Sequence, residues 1–299
     1  MLALFLAILS STLVTVVMRM SETRSKNRTS LLAVNYLVCS VLSAAFTGTT
    51  DLLPAAEILP TALLLGLISG ALYLGGFLLL QWNINRNGVV LPATFMKLGV
   101  IVPTLMAILV FREAPRLTQV VGIIAAVAAI IFMKDKTTDR PGSTLGLILL
   151  LLCGGLCDSM SNVYMELSDG VLKDHYLLYT FVTAMLLCVG LCLVRRERLA
   201  WQDLLWGTLL AVPNYFSALF LIDSLATVPA VVAFPSFSVG TIVMVTLAGM
   251  LLFGERLKVR KWIAMGVIAV ALILIIRAFV KSYKRHYARL PKNKNRYVK

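Results

Sequence analysis

One lysine stands between two prolines in the stretch Leu91-Pro-Ala-Thr-Phe-Met-Lys-Leu-Gly-Val-Ile-Val-Pro103, whose other side chains are apolar except for Thr94. Lys97 falls about eight residues into a long apolar run, which at 1.5 Å per residue sets its backbone roughly 12 to 14 Å below the run's end. A charge at that depth in hydrocarbon costs at least a few kcal/mol, so it must snorkel or face a partner or a watered cavity. Pro92 and Pro103 each remove a backbone donor and loosen the helix, which is tolerated where a span borders a cavity or a gate. The best-placed partner is Asp158, in "CGGLCDSMSNVYMEL", about 14 residues or roughly 21 Å along its own run. If the two runs start from the same membrane face, the offset of about 7 to 9 Å is within reach of a lysine and a carboxylate, or of a small anion held between them. Two readings fit: a Lys97–Asp158 pair in a binding site, or a snorkelling Lys97 with Asp158 bonding locally. In the paired case, proton coupling is available to a buried carboxylate beside an amine.

Other polar side chains lie at the same depth: Asn35, Tyr36, Tyr73, Ser159, Asn162, Asn214 and Tyr215. Asn162 is four residues beyond Asp158 and shares its helix face. Taken singly, each suits a helix-to-helix hydrogen bond as well as a substrate contact; their concentration is the stronger signal for a binding cavity. Glu113 and Glu255 end their runs beside Arg112 and Arg256. They suit solvated ion pairs at helix ends, or gates.

The elements that must carry these residues are membrane helices. The chain of 299 residues is 59% hydrophobic and 14% charged, with a mean hydropathy of +0.89, outside the range of soluble domains. Hydropathy against charged and Gly/Pro breaks predicts an all-α membrane protein of ten transmembrane helices, at about 2–18, 31–48, 58–82, 88–111, 117–133, 144–166, 175–194, 202–223, 228–253 and 259–279. The opening Met1-Leu-Ala-Leu-Phe has no basic region before it and reads as a retained span, not a signal peptide. The net charge of +14 sits in loops and in the tail 281–299, which points to orientation and anionic lipid headgroups and away from nucleic acid.

The five cysteines fall inside predicted spans, and Cys153/Cys157 and Cys188/Cys192 are each four apart. With no histidine in those spans they read as small apolar residues, so no metal and no cofactor is expected. The two histidines, His175 and His286, lie near or beyond span ends, which disfavours a membrane hydrolase; no phosphate-binding loop is present to drive a pump. The expectation is therefore a transporter of a small-molecule substrate, with a lipid flippase or a structural membrane subunit as the alternative.

Lys134–Ser143, "KDKTTDRPGS", is the conspicuous internal linker. Sliding the chain on itself by 142 residues sets "GVVLPATF" on "AVVAFPSF", Tyr73 on Tyr215, and "TLMAILVFRE" on "TLAGMLLFGE", with about 12 identities in 59 positions from Tyr73 to Ile131. This predicts repeats at 1–136 and 144–280, joined by a linker at 137–143 and followed by the tail. Five spans per unit is odd, so the second repeat would enter from the opposite side, as in secondary transporters. "VAFPSFSVGTIVMVTLAGMLLFGERLKVRKWIAMGVIAVALILI" and its counterpart "FREAPRLTQVVGIIAAVAAIIF" resemble the ten-span EamA-like branch of the drug/metabolite transporter superfamily, most specifically at Glu113 and Glu255. The resemblance implies two inverted five-helix repeats around a central cavity, export of a metabolite or drug-like compound by alternating access, a bacterial inner (plasma) membrane, and cytoplasmic termini. Where such proteins often have Trp-Gly at the end of the first span, this chain has Ser10-Ser11-Thr12. Positive-inside counting pulls two ways: loops after odd-numbered spans hold 15 Lys and Arg, whereas those after even-numbered spans and the C-terminal segment hold 12. The tail and the resemblance favour cytoplasmic termini; the loops favour the reverse.

Overall fold

The computed structural model describes residues 1–22, 24–49, 51–87, 95–96, 98–112, 115, 117–132, 144–254, 263, 266–267 and 270. Among them no strand occurs. With no water in hydrocarbon to satisfy backbone N–H and C=O groups, a helix is the form in which an apolar segment can bond internally. The helices are α1 (Leu2–Ser21), α2 (Arg28–Phe46), α3 (Leu59–Asn87), α4 (Ile101–Leu109), α5 (Leu117–Phe132), α6 (Thr144–Ser168), α7 (Lys173–Arg195), α8 (Trp201–Leu225) and α9 (Ala230–Phe253). Seven of these contain a stretch long and apolar enough to cross a membrane: all except α4 and α5. The chain is a multi-pass, all-helical membrane protein. Most of the expected fourth span's first half and nearly all of the expected tenth lie outside the described residues, as do Lys97, Glu113, Glu255, the linker 137–143 and the tail 281–299.

Helices outrun the hydropathy boundaries at polar ends. α1 continues through Arg19 to Ser21, α2 begins at Arg28 rather than at residue 31, and α3 continues past Trp82 to Asn87. No Gly or Pro lies between Gly76 and Gly88 to stop α3 at the end of its apolar run, and Gly and Pro are the strongest breakers of a helix.

Packing runs mainly between the first and second halves of the chain. The principal pairs are α1 with α8 and α9, α2 with α7 and α8, α3 with α6 and α7, and α4 with α6 and α9. Exchanging α1 with α6, α2 with α7, α3 with α8 and α4 with α9 returns the same set of pairs. Counterparts α2 and α7 run antiparallel, since Ser30 lies near Cys192 while Tyr36 lies against Phe181 farther along. The pairs α3/α7 and α2/α8 run parallel: Gly66 faces Tyr179 while Gly70 faces Thr183, and Gly207 faces Leu31 while Phe216 meets Phe46.

All three of these contacts need glycine, and a Cβ on Gly66 would fall 2.7 Å from Tyr179 Cβ. A Cβ on Gly70 would fall 2.5 Å from Thr183 Cβ and 2.6 Å from the Thr180 carbonyl oxygen, and one on Gly207 would fall 2.6 Å from the Leu31 carbonyl oxygen. The backbones approach too closely for any side chain, as small residues permit between membrane helices.

The two ends of the bundle differ in charge. At one end, fully buried Asp203 of α8 accepts backbone N–H bonds from Lys26 (2.7 Å), Asn27 (3.1 Å) and Ala200 (3.3 Å), and Asn27 Nδ2 donates to the Arg198 carbonyl (2.8 Å). That end gathers Arg19, Arg24, Lys26, Arg28, Arg195, Arg196 and Arg198. At the other, the α2–α3 loop is bound to α7 through His175 Nε2 and the Asp51 carbonyl (3.1 Å) and through Tyr179 Oη donating to the Leu52 carbonyl (2.7 Å). There Lys173 pairs with Asp223, and Asp51, Glu57, Glu166, Asp169 and Asp174 cluster.

Gly70→Val should lower the protein's stability by about 2 to 3 kcal/mol through overpacking, whereas Gly190→Val on α7, with nothing within 4 Å of its Cβ position, should have little effect. Thermal unfolding in detergent compares them, and equal losses would refute the close-contact account. If the positive-inside rule is applied to these two ends alone, the basic end faces the cytoplasm and Met1 the outside, the reverse of what the basic tail and the family resemblance imply. Glu57→Cys should then react with a membrane-impermeant maleimide in intact cells and Glu22→Cys only after permeabilisation; the opposite pattern would reverse the orientation.

Candidate functional site

A cavity of about 320 Å³ lies between α1, α2, α3, α6, α8 and α9. Its walls are helical stripes. Leu72, Tyr73, Gly76, Phe77 and Leu80 line it from α3, and Leu210, Asn214, Ser217, Ala218 and Leu221 from α8, at the three- and four-residue spacing that keeps side chains on one face. Gly76 and Gly154, both in the lining, leave room that larger residues would fill.

The polar centre is built where α2 meets α8. Asn214 Nδ2 donates to Asn35 Oδ1 at 3.4 Å, and the Cys39 thiol donates to the Ala211 carbonyl at 3.4 Å. Pro213 lies within α8 just before Asn214 and contributes no N–H to the helix, so the backbone is least tightly bonded beside this contact. Asn35 is 1% exposed, and its Nδ2 finds no hydrogen-bond partner among the described residues. A buried amide N–H without an acceptor costs on the order of 1 to 3 kcal/mol, a cost that a ligand oxygen reaching the same wall would remove.

Aromatic rings form the adjoining wall. Tyr36 and Tyr73 meet edge to face with centroids 6.3 Å apart, and Phe181 backs both at 6.5 and 6.1 Å. α6 supplies Cys157 and the carboxylate of Asp158, α1 supplies Ser11, and α9 supplies Ser238. The site thus offers one carboxylate, two amides, two phenols and three hydroxyls of serine within a mainly apolar enclosure, the mixture that orients a small polar ligand.

Five of the residues singled out in the sequence meet at this cavity: Asn35, Tyr36, Tyr73, Asp158 and Asn214. Others do not. Tyr215, expected across the cavity from Tyr73, is fully buried against Phe46 (5.5 Å), Phe216 (5.4 Å) and Phe181 (6.3 Å). One residue along a helix turns the side chain by about 100°, so with Asn214 facing inward Tyr215 points into the packing. Ser159, next to Asp158, is buried for the same reason and returns its hydroxyl to the Gly155 carbonyl at 2.7 Å. Asn162 lines a different, smaller cavity. The cavity also recruits Ser11, Ser217, Ser238 and Cys157, which were not expected there. Ser217 was legible in the sequence, three residues past Asn214 on the same face; Cys157 had read as a plain apolar residue.

The lining reaches Met18, Leu32 and Leu80, near the ends of their helices on the basic side. Toward the acidic end, Phe46, Tyr215, Phe216 and Phe220 form a continuous set of ring contacts between 5.4 and 6.0 Å. Beyond them Tyr164 stacks on Tyr176 at 4.3 Å, with Tyr176 Oη bonded to Ser69 Oγ at 2.8 Å.

Comparison with known proteins agrees with this arrangement. An uncharacterized protein of Haemophilus influenzae is 25% identical over 277 residues, covering 87% of this chain and 92% of its own length. A solved crystal structure has the same fold with a TM-score of 0.72 at 14% identity, over 91% of this chain and 94% of its own. The family model described as the EamA-like transporter family matches residues 1–134 and again residues 145–277. The two matches together cover most of the chain, and the chain belongs to the EamA-like transporter family, membrane transporters of the drug/metabolite type.

Proposed function

We propose that this protein is a secondary transporter that exports a small organic metabolite or drug-like compound across a bacterial plasma membrane by alternating access. The observation that carries the reading is the central cavity, lined by the Asp158 carboxylate on α6 and by the bonded amides of Asn35 and Asn214 on α2 and α8. A volume of about 320 Å³ is at the lower end of ligand-site sizes and suits a metabolite enclosed whole.

The two halves are read as inverted repeats. The exchange-symmetric packing and the antiparallel run of α2 against α7 support this, as does the double family match. In such a pair the same contacts can be made at either face, so one conformer opens to one side while its mirror arrangement opens to the other. The lining that approaches the basic end and the aromatic set toward the acidic end fit a conformer that admits substrate from the basic face. With that face cytoplasmic, loading occurs from inside, as export requires.

Lys97 is proposed to project into the same cavity and to pair with Asp158, so that an anionic substrate group takes the amine while the carboxylate is released to a proton. Ligand exchange and proton coupling would then share one pair of side chains. Tyr73, Tyr36, Asn35 and Asn214 would orient the neutral part of the substrate, Ser159 and Tyr215 would support them from behind, and Glu113 and Glu255 would act at the span ends. The basic tail is proposed to lie against anionic lipid.

A thermal-shift screen of amino acids, nucleosides and sugars identifies a stabilising compound, whose flux is then measured in proteoliposomes. Lys97→Ala should abolish that flux with folding intact; normal flux would remove the lysine from the mechanism. Combining Lys97→Ala with Asp158→Ala should express better than either single change, because each single change leaves an unpaired charge in the membrane. Equal expression of the three variants would argue against the pair.

A further inference from the structure

A serine or threonine within a helix usually donates its hydroxyl to the carbonyl one turn back. In this bundle Thr12 donates to the Ile8 carbonyl at 2.8 Å, Ser40 to that of Tyr36 at 2.8 Å, Ser159 to that of Gly155 at 2.7 Å and Thr246 to that of Ile242 at 2.7 Å. The serines that line the central cavity depart from this habit. Ser11, Ser217 and Ser238 make no side-chain hydrogen bond among the described residues, and neither do the phenols of Tyr36 and Tyr73 in the same lining. Their oxygens are open to the cavity. The hydroxyls of Ser43, Ser236 and Thr241 also lack partners, but they are sealed in the packing and line neither this cavity nor the smaller one at Asn162.

Where these hydroxyls stand sets what they can recognise. Ser11 comes from α1, Tyr36 from α2, Tyr73 from α3, Ser217 from α8 and Ser238 from α9, while α6 adds the Asp158 carboxylate. Every wall therefore presents a hydrogen-bonding group, and each hydroxyl can donate as well as accept. A ligand polar at one end and apolar at the other would satisfy one wall and leave the hydroxyls of the rest stripped of water without a partner, which weakens binding. A flat heteroaromatic ring carries its polar atoms in one plane and leaves the same deficit above and below it. A ligand with hydroxyls around its whole periphery meets all the walls at once. Between the polar groups the lining is apolar, with Leu72, Phe77, Leu221 and Phe237, and suits the C–H faces that such a ligand keeps between its hydroxyls.

We propose that the central cavity recognises a polyhydroxylated substrate of monosaccharide size, with Ser11, Ser217 and Ser238 reading its hydroxyl groups. The assignment rests on the transport function proposed above and narrows its substrate to a sugar, a sugar acid or a cyclic polyol. A volume of about 320 Å³ accommodates one such ring. If the ring bears a carboxylate, that group is the one that meets the Lys97 amine.

The test uses the full-length protein in detergent, with D-glucose, myo-inositol and D-glucuronate titrated beside L-leucine and adenine while the melting temperature is followed. At least one of the polyols should raise it saturably, and the one that acts at the lowest concentration tells whether the substrate is neutral or acidic. Ser11→Ala, Ser217→Ala and Ser238→Ala should each raise that compound's half-saturating concentration about threefold to tenfold, as loss of one neutral hydrogen bond does. Deoxy forms of the same compound separate a lost contact from altered packing: for each serine variant, one deoxy form should bind variant and wild type alike. Thr208→Val, on the exposed side of α8 with its hydroxyl bonded to the Leu204 carbonyl, should leave the affinity unchanged. Saturable stabilisation by L-leucine or adenine and none by the polyols would overturn the substrate class and leave the transport function standing, whereas a polyol that binds without flux in proteoliposomes would do the reverse. No response to any compound, or unchanged polyol affinity in all the serine variants, would also overturn the assignment.

Discussion

The rest of the structure depends on how closely the two halves of the chain can approach. Lipid tails are as apolar as leucine, so burying leucine between helices yields little drive, and contact geometry has to supply the association. Here Gly70 lets α3 settle onto the backbone of α7, and Gly207 lets α8 settle onto α2. Those two crossings hold α2, α3, α7 and α8 as one packed block, with Tyr36, Phe181 and Tyr215 in its core. Only with that block closed do Asn35 and Asn214 come within bonding distance and the rings of Tyr36 and Tyr73 meet. Pulling the backbones apart by the width of a methyl group would separate all of these contacts together.

Polarity is then distributed by helix phase. Each helix that borders the central cavity contributes at least one polar side chain to an inward stripe that is otherwise largely apolar. A single step along the chain moves a side chain out of that stripe, as Asn214 and Tyr215 demonstrate. The ends follow a different logic. At the basic end a buried carboxylate, Asp203, gathers three backbone donors from two loops, which fixes the loops without a side-chain ion pair. At the acidic end the link is the Lys173–Asp223 pair between α7 and α8, a contact that a shift of one helix against the other would break.

Much of this was legible in the sequence because apolar runs of spanning length have few alternatives in a membrane. Helix order, their approximate ranges and the gathering of Asn35, Tyr36, Tyr73, Asp158 and Asn214 all follow from hydropathy and depth. Hydropathy cannot set rotation, so Tyr215 and Ser159 were counted with the cavity although their neighbours occupy it. The Tyr73/Tyr215 match in the 142-residue offset also misled, since matched positions need not have matched exposure when cross-half contacts differ in detail. Serine escaped notice because its hydroxyl usually bonds back to the preceding turn; only the three-dimensional stripe reveals that Ser11, Ser217 and Ser238 border open space. Lys173 and Asp223 lie fifty residues apart, and no local pattern links them.

The half-against-half packing also bears on biosynthesis. Helices α1 to α3 leave the ribosome well before α6 to α8, yet their covering surfaces belong to those later helices. During that interval Asn35, Tyr36 and Tyr73 are exposed to lipid or to whatever insertion machinery shields them. The nascent first half is therefore a client awaiting its complement, and the commitment to a folded protein comes late in translation, when α7 and α8 arrive to close over it.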